Sequence, residues 1–428
     1  GLQQSNVAMS YIYKLSEDVA PSLREVFEER GWTEWNRHNH SQNEWNILWT
    51  TQRYFGSSSY SLTTFQKLNH FRRTGQITKK DNLTRNLKRM RANFGKIYNF
   101  YPTSYQFPLQ YSEFVAMTHR HKRPKSIWIA KPASGRRGEN ITLFTEVTKF
   151  SYSQPMIVQK YISNPLLVGG YKFDLRIYVL VTSFRPLQIY CYNNGLCRFG
   201  TQQYDLKNLS NVYSHLTNAS INKQSDSFKT DKGVIGEGSK WTVHKLFQYL
   251  QQNVHDENLQ GSIAQTVWNQ IHDIIILTML PIIMDVEQCE HCFELFGFDI
   301  LMDENYRCWL LEVNGSPAIA TQCEADKTVK YPMLNDLIDC VQSRFGSGSS
   351  AKHRKSVHMT SKRSKKEMRA NPRVVAEEEK MNEEESVHAD FQQNVGGFVQ
   401  IFPFNAHTAE ANKVLVNMSS SFVARAQK

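Results

Sequence analysis

The 428 residues exceed the size of one ordinary domain, and a composition that is 40% apolar and 12% aromatic excludes a chain that stays unfolded throughout. Lys and Arg outnumber Asp and Glu by 51 to 40, and the net charge of +11 predicts attraction to an acidic partner while leaving nucleic acid, anionic lipid and acidic protein tails open. Seven scattered cysteines exclude a disulfide framework, and the longest apolar run, Ile274 to Met284, is broken by Pro281 and falls short of the roughly 20 residues a membrane span needs.

In chain order, two basic regions come first. Arg72 to Arg91 holds eight Lys/Arg against Asp81, and His119 to Lys125 adds four more. Leu83, Leu87, Met90 and Phe94 recur at helical spacing while Arg85, Lys88 and Arg89 fall on another face, which predicts a helix packed on one side and cationic on the other. A plain solvated face explains these charges equally well. No signal peptide opens the chain at Gly1.

From Ser126 short apolar runs predict strands of a mostly antiparallel sheet: Ile127–Ala130, Ile141–Thr145, Ile157–Ile162, Phe173–Thr182 and Leu187–Tyr192. Helices are expected over Trp241–Gln251 and Ser262–Leu280, then a hairpin from Phe293–Met302 through Asp303-Glu-Asn305 to Tyr306–Val313. This order predicts an α+β fold. Three regions are expected: 1–125 as an N-terminal, cationic acceptor-binding part, 126–345 as the catalytic part, and 346–428 as a tail. In the tail Lys352–Arg369 is basic, Glu377–Glu385 is acidic, and disorder or local helix is expected over most of its length.

Side chains two apart on a strand share a face, so Lys172, Asp174 and Arg176 line one side of their strand while Phe173, Leu175 and Ile177 line the other. Such a row suits phosphate oxygens and a bound ligand, with a solvated sheet face as the alternative. In the hairpin, Asp299, Glu312 and Asn314 would be brought together by antiparallel pairing; hard oxygen donors of this kind suit Mg²⁺, and a buried structural cluster fits as well. Lys131 to Gly138 reads as a cationic loop able to close over phosphate, although neither the P-loop nor the dinucleotide glycine pattern is present. Cys289-Glu-His-Cys292 is half of a zinc pattern without a second half, which favours buried thiols.

Six segments in this order, Trp128-Ile-Ala-Lys-Pro132, Val158-Gln-Lys-Tyr-Ile162, Lys172-Phe-Asp-Leu-Arg176, His215-Leu-Thr-Asn218, Phe296-Gly-Phe-Asp299 and Leu311-Glu-Val-Asn-Gly-Ser-Pro317, resemble the tubulin tyrosine ligase-like family over roughly residues 10–342. Asn164-Pro-Leu-Leu-Val-Gly-Gly170 is similar to its polyglutamylase branch. The resemblance implies an ATP-grasp-type fold and an ATP-dependent ligase that adds glutamate to tubulin tails through an acyl phosphate, with ATP and Mg²⁺ required. It implies that Lys131, Arg137, Gly138, Gln159, Lys160, Tyr161, Ile162, Lys172, Phe173, Asp174, Thr217 and Asn218 surround the nucleotide, and that Asp299, Glu312 and Asn314 hold the metal. By the same resemblance Arg198, Ser220, Lys240 and Lys330 meet the amino acid, with Arg176, Arg198 and Glu312 catalytic. Arg85, Lys88 and Arg89 are expected to meet the tubulin tail. Tubulin in microtubules, free glutamate, a monomer, no nucleic acid and a cytoplasmic, cytoskeletal or ciliary place complete the expectation. One departure stands out. Where the family has Gly-Arg-Gly-Ile, this chain has Gly138-Glu-Asn-Ile141, and this opens an alternative, a weak or inactive microtubule binder. A glycylase or a small-substrate ligase is a further alternative.

Overall fold

A computed structural model describes residues 11–51, 62–120, 126–135, 138–146, 150–228, 230, 232–236, 238–253, 262–345 and 394–404. The N-terminal part forms a parallel sheet from β1 (Ile12–Leu15), β2 (Thr33–Glu34), β3 (Ile47–Trp49) and β4 (Lys67–Leu68), in the order β2-β1-β3-β4. Helix α1 (Pro21–Glu29) lies between β1 and β2 and begins at a proline, whose missing N–H has no partner to lose in the first turn. After the short α2 (Gly75–Thr78), α3 (Lys80–Phe94) buries Leu83, Leu87 and Met90, the stripe that its spacing predicts. It ends at Gly95, whose φ of +68° suits a residue without Cβ.

A second, antiparallel sheet runs β5-β8-β6-β7 and contains β5 (Ser104–Phe107), β6 (Trp128–Pro132), β7 (Thr142–Phe144) and β8 (Met156–Lys160); α4 (Tyr111–Arg120) packs on one face. Trp128 and Ala130 from β6, with Met156 and Val158 from β8, join Phe114 of α4 in the core there. The alternate residues Lys131 and Gln159 therefore look the other way. Because β5 pairs with β8, the boundary expected near residue 125 falls inside this sheet.

The largest sheet carries the site. Its path is β12-β11-β10-β13-β14, from β12 (Lys240–Thr242), β11 (Leu187–Phe199), β10 (Tyr171–Phe184), β13 (Glu294–Met302) and β14 (Cys308–Asn314), all antiparallel, with β9 (Leu167–Val168) beside β10. Helices α5 (Val212–His215) and α6 (Ala219–Asn222) lie between β11 and β12, α7 (Val243–Asn253) and α8 (Ile263–Met279) follow β12, and α9 (Glu324–Gln342) follows β14. On β10, the odd-numbered Phe173, Leu175, Ile177 and Val179 belong to one core with Leu246 of α7 and Ile271 and Ile275 of α8. The even-numbered face divides. Tyr178 and Leu180 are covered by α1, α9 and the N-terminal sheet, through Phe27, Leu334 and Ile338 among others, whereas Lys172, Asp174 and Arg176 continue that face into the site. Burying a side chain of that size contributes about 2 kcal/mol, so the apolar half of the face anchors the strand that presents the charged half.

One expectation is corrected here. Phe398–Phe402, in the region expected to be mostly disordered or locally helical, forms β15 and pairs with β11 at Ile189 to Tyr192. Its alternation of Phe398, Gln400 and Phe402 with Val399 and Ile401 fits a strand at a sheet edge. The basic and acidic blocks between 346 and 393 lie outside the described residues.

Candidate active site

The site is the cleft between the second sheet and the charged face of the largest one. Lys131 Nζ donates to Gln159 Oε1 at 2.9 Å, and Gln159 Nε2 donates to Ser104 Oγ at 3.1 Å, which fixes both side chains on the cleft face of β6 and β8. From the opposite sheet, Lys172 Nζ donates to Tyr161 Oη at 2.9 Å and to the His215 carbonyl at 2.8 Å. Tyr161 Oη in turn shares a hydrogen with His215 Nδ1 at 3.0 Å. Burial pushes Lys131 down to about 8 and Lys172 down to about 7. Two desolvated ammonium groups whose hydrogen bonds run to neutral oxygens form a receptor for an anion.

Phe173 needs correction as a nucleotide contact through its side chain. It is fully buried on the other face, against Phe199, because it sits between two cleft residues on a strand of period two. Lys160, the last residue of β8, is exposed, and Ile162 is half-buried just beyond it. Arg137 lies outside the described residues.

Register explains the charged row. Asp174 faces Arg198, Arg198 faces Lys240, Arg176 faces Asp299, and Asp299 faces Glu312 across successive strands. Arg198 makes a bidentate pair with Asp174 at 2.7 and 2.6 Å and donates from Nη2 to Asp299 at 2.8 Å. Arg176 holds Asp299 at 2.6 and 3.1 Å. Burial would raise the Asp299 pKa, but Arg176 and Arg198 outweigh it and keep the carboxyl ionised far below the usual range. These charges are buried and paired, which removes the solvated-face alternative.

Glu312 stands beyond that ion-paired group. Burial, then the Asp299 charge, raises its pKa. The nearby cation is Lys80 at the start of α3, with Nζ 4.0 Å from Glu312 Oε2, and the same ammonium donates to the Gly135 carbonyl at 2.7 Å. Lys80 was missed in the sequence because it reads as one more charge in a basic run; its place at the first turn of α3 turns it into the cleft. Asn314, opposite Gly297, donates from Nδ2 to the Gly297 carbonyl at 3.3 Å, which fixes the amide on the Glu312 side of β14. Two carboxylates and an amide oxygen on paired strands fit Mg²⁺, which binds through one or two carboxylates and completes its shell with water and phosphate. Asp299, Glu312 and Asn314 would hold it.

At the other end of the row Lys240 and Lys330 converge on Asp326, a fully buried carboxylate that sequence reading also missed. Lys240 Nζ is 2.6 Å from Asp326 Oδ2 and Lys330 Nζ is 2.8 Å from Oδ1. Lys330 also donates to the Ala320 carbonyl at 2.7 Å. The i, i+4 spacing of Asp326 and Lys330 on α9 was the available signal. Ser220 lies on α6, after Thr217, which is buried, and Asn218, the residue preceding that helix. Buried Asn222 holds this segment, accepting from Thr201 N at 2.9 Å and donating to the Leu216 carbonyl at 2.8 Å. Gly138 rests on it: a Cβ there would lie 2.5 Å from Ile221 Cδ1 and 3.1 Å from Asn218 Oδ1, and φ is +82°.

Arg85, Lys88 and Arg89 on the α3 surface are exposed and individually engaged. Arg85 donates to Asn82 at 2.7 Å, Lys88 pairs with Glu113 at 3.2 Å and Arg89 donates to the Pro281 carbonyl at 3.4 Å.

Two facing sheets, with buried Lys172 on one, half-buried Lys131 on the other and an oxygen donor set at one end, frame a cleft of the ATP-grasp type. The profile described as "Tubulin-tyrosine ligase family" matches residues 57–350, and the chain belongs to that family. It is 42% identical over 335 residues to the probable tubulin polyglutamylase TTLL2 of Homo sapiens, covering 77% of this chain and 55% of the relative. Against TTLL2 of Mus musculus it is 40% identical over 334 residues, covering 77% of this chain and 60% of the relative. It is 34% identical over 356 residues to the probable alpha-tubulin polyglutamylase Ttll1 of Tetrahymena thermophila, covering 74% of this chain and 83% of that one. The chain thus spans little more than half the length of the two TTLL2 relatives.

Proposed function

We propose that this chain is an ATP-dependent ligase that adds glutamate to glutamate side chains in the acidic tails of tubulin, by way of an acyl phosphate on the acceptor side chain. The observation that carries the reading is the convergence, across one cleft, of Lys131 and Lys172 with the oxygen donors Asp299, Glu312 and Asn314, in a member of this family. Lys131 and Lys172 bind the triphosphate from opposite sheets, and Gln159 orients Lys131. Tyr161 and Ile162 border the adenine side. Lys80 ties the phosphate loop to Glu312, so the loop and the metal-binding strand are held as one unit. When bound, Mg²⁺ supplies charge to the transferring phosphoryl group.

Arg176 and Arg198 already neutralise Asp174 and Asp299. With Lys240 and Lys330 at the end of the row, both paired with Asp326, they line a wall for an incoming amino-acid carboxylate in which the cations exceed the anions by one. Positioning and charge stabilisation suffice for this chemistry, and no protein nucleophile enters it. The net charge of +11 and the outward face of Arg85, Lys88 and Arg89 favour a polyanionic acceptor. We place the protein as a monomer on microtubules or cilia.

A second reading, a weak or inactive microtubule binder, draws on the loop, where Glu139 and Asn140 are exposed and Asn140 has a φ of +54°. Purified microtubules, with and without their acidic tails, are incubated with the protein, ATP, Mg²⁺ and labelled glutamate or glycine. Tail-dependent incorporation of glutamate is expected. Glycine incorporation alone would overturn the choice of amino acid, and tail-dependent binding without incorporation of either would favour the second reading.

A further inference from the structure

Away from the cleft, Cys289 and Cys292 meet where the N-terminal sheet joins the largest one. Their sulfurs are 3.0 Å apart, with the Cys292 thiol donating to the Cys289 sulfur. The backbone around them is pinned on both sides: Cys292 N donates to the Cys289 carbonyl at 3.3 Å, Leu68 N to the His291 carbonyl at 2.8 Å, and Phe293 N to the Leu68 carbonyl at 2.9 Å. Buried Lys67 donates from Nζ to the Glu290 carbonyl at 3.0 Å, inside the same turn. Cys292 is buried and Cys289 is half-buried, so the two thiols differ in access. The hydrogen bond from Cys292 lowers the Cys289 pKa against the effect of burial, and Lys67 adds to the lowering; Cys292 shifts upward by the same contact. Among the described residues no set of three or more His, Cys, Asp or Glu side chains is arranged to hold a metal. Of the remaining cysteines, Cys191, Cys197, Cys308 and Cys340 are buried and Cys323 is exposed.

We infer that Cys289 and Cys292 form a thiol–disulfide exchange site, with the half-buried Cys289 as attacking thiol, buried Cys292 as resolving thiol, and a low-molecular-mass disulfide of the oxidised-glutathione type as co-reactant. The Cys289 thiolate attacks one sulfur of that disulfide, forms a mixed disulfide and expels a thiolate, which takes a proton from solvent. Cys292 then gives its proton to solvent and attacks Cys289 Sγ, so the Cys289–Cys292 bond forms as a second thiolate leaves. Both cysteines are oxidised, and the small disulfide is reduced to two thiols. A disulfide needs sulfurs about 2.05 Å apart, so closure asks for an approach of about 1 Å from the 3.0 Å contact within one turn. The thiolate fraction and access of Cys289 suit the first step, while the burial of Cys292 protects it from direct attack.

The test uses the full chain, reduced and then exposed to oxidised glutathione, quenched with an alkylating reagent and read by peptide mass spectrometry. In the unsubstituted protein the Cys289–Cys292 peptide is expected to lose two hydrogens and to resist alkylation until reduced. In Cys292→Ser, glutathione should remain attached to Cys289. In Cys289→Ser, Cys292 should react at least about tenfold more slowly than Cys289 does in Cys292→Ser, because the Cys292 thiol is buried and the Cys289 thiol is only half-buried. Exposed Cys323 reports that the oxidant is active. The inference is overturned if both cysteines of the unsubstituted protein remain alkylatable while Cys323 is glutathionylated, or if a mixed disulfide persists at Cys289 beside Cys292. It is also overturned if Cys292 alone reacts as fast as Cys289 alone.

Discussion

Lys80 Nζ stands 4.0 Å from Glu312 Oε2 while donating to the Gly135 carbonyl at 2.7 Å, so one ammonium group joins the first turn of α3, the turn after β6 and strand β14. Glu312→Gln removes a charge but little volume. We expect kcat to fall by more than about 100-fold, the size of losing one strong electrostatic contact in a closed site. Lys80→Met should raise the KM for ATP and lower kcat together, since both loop and carboxylate lose their common partner. Ligase rates, with thermal melting as the control for folding, check both. Near-normal turnover in Glu312→Gln would remove Glu312 from the site.

Nucleotide binding should depend on pH through Lys131 and Lys172. In the free protein burial holds them at about 8 and about 7. Bound phosphate favours the charged form and raises both values, so binding takes up protons. The sign follows: affinity is greatest below about 7 and falls as pH rises through about 7 to 8 toward the values in the complex. The slope is limited to about tenfold per pH unit for each lysine. Calorimetric titration with ATP in buffers of different ionisation heat measures the uptake directly, and Lys172→Met should remove the part that begins near 7.

Much of this site was legible because strands impose a period of two. The row of Lys172, Asp174 and Arg176, and the pairing of Asp299 with Glu312, follow from alternation and one hairpin. What alternation does not give is the partner across a long connection. Lys80 and Glu312, or Lys240 and Asp326, are far apart in the chain, and their meeting depends on how α3 and α9 dock on the sheets. The strand at Phe398–Phe402 was hidden for a similar reason, since a short apolar run becomes a strand when an edge of β11 accepts it. Basic runs also concealed a distinction. Arg85, Lys88 and Arg89 lie on the surface, whereas Lys80 of the same helix enters the cleft.

Asp326 is expected to act on the amino acid through the two lysines it separates. Removing one member of a buried charge pair costs roughly 3–5 kcal/mol, and Asn keeps an acceptor, so Asp326→Asn should fall near the lower end. The proposed role adds a second effect, a rise of about tenfold in the KM for glutamate, or about 1.4 kcal/mol, with the KM for ATP unchanged. Initial rates with each substrate varied in turn separate the two. Equal shifts in both KM values would mean that Asp326 only supports the fold.

The final expectation concerns Glu139 and Asn140, where this chain parts from the pattern of its family. Gly138 rests against Ile221 and Asn218, which fixes the start of the turn, and Asn140 occupies the left-handed region at a φ of +54°. Asn tolerates that region better than most residues and glycine better still, so Asn140→Gly frees the turn to approach a nucleotide. Glu139 is exposed in the same turn, and a carboxylate there repels triphosphate that comes within reach, whereas arginine would attract it. We expect Glu139→Arg combined with Asn140→Gly to lower the KM for ATP and raise kcat, with microtubule binding in the absence of nucleotide unchanged. A gain of about tenfold in kcat/KM corresponds to about 1.4 kcal/mol, the size of one repaired charged contact. The single changes divide the effect: Asn140→Gly tests backbone freedom, and Glu139→Arg tests charge, which salt should weaken. If the double variant is no faster than an active parent, Glu139 stays in solvent throughout the cycle and the departure has no bearing on catalysis.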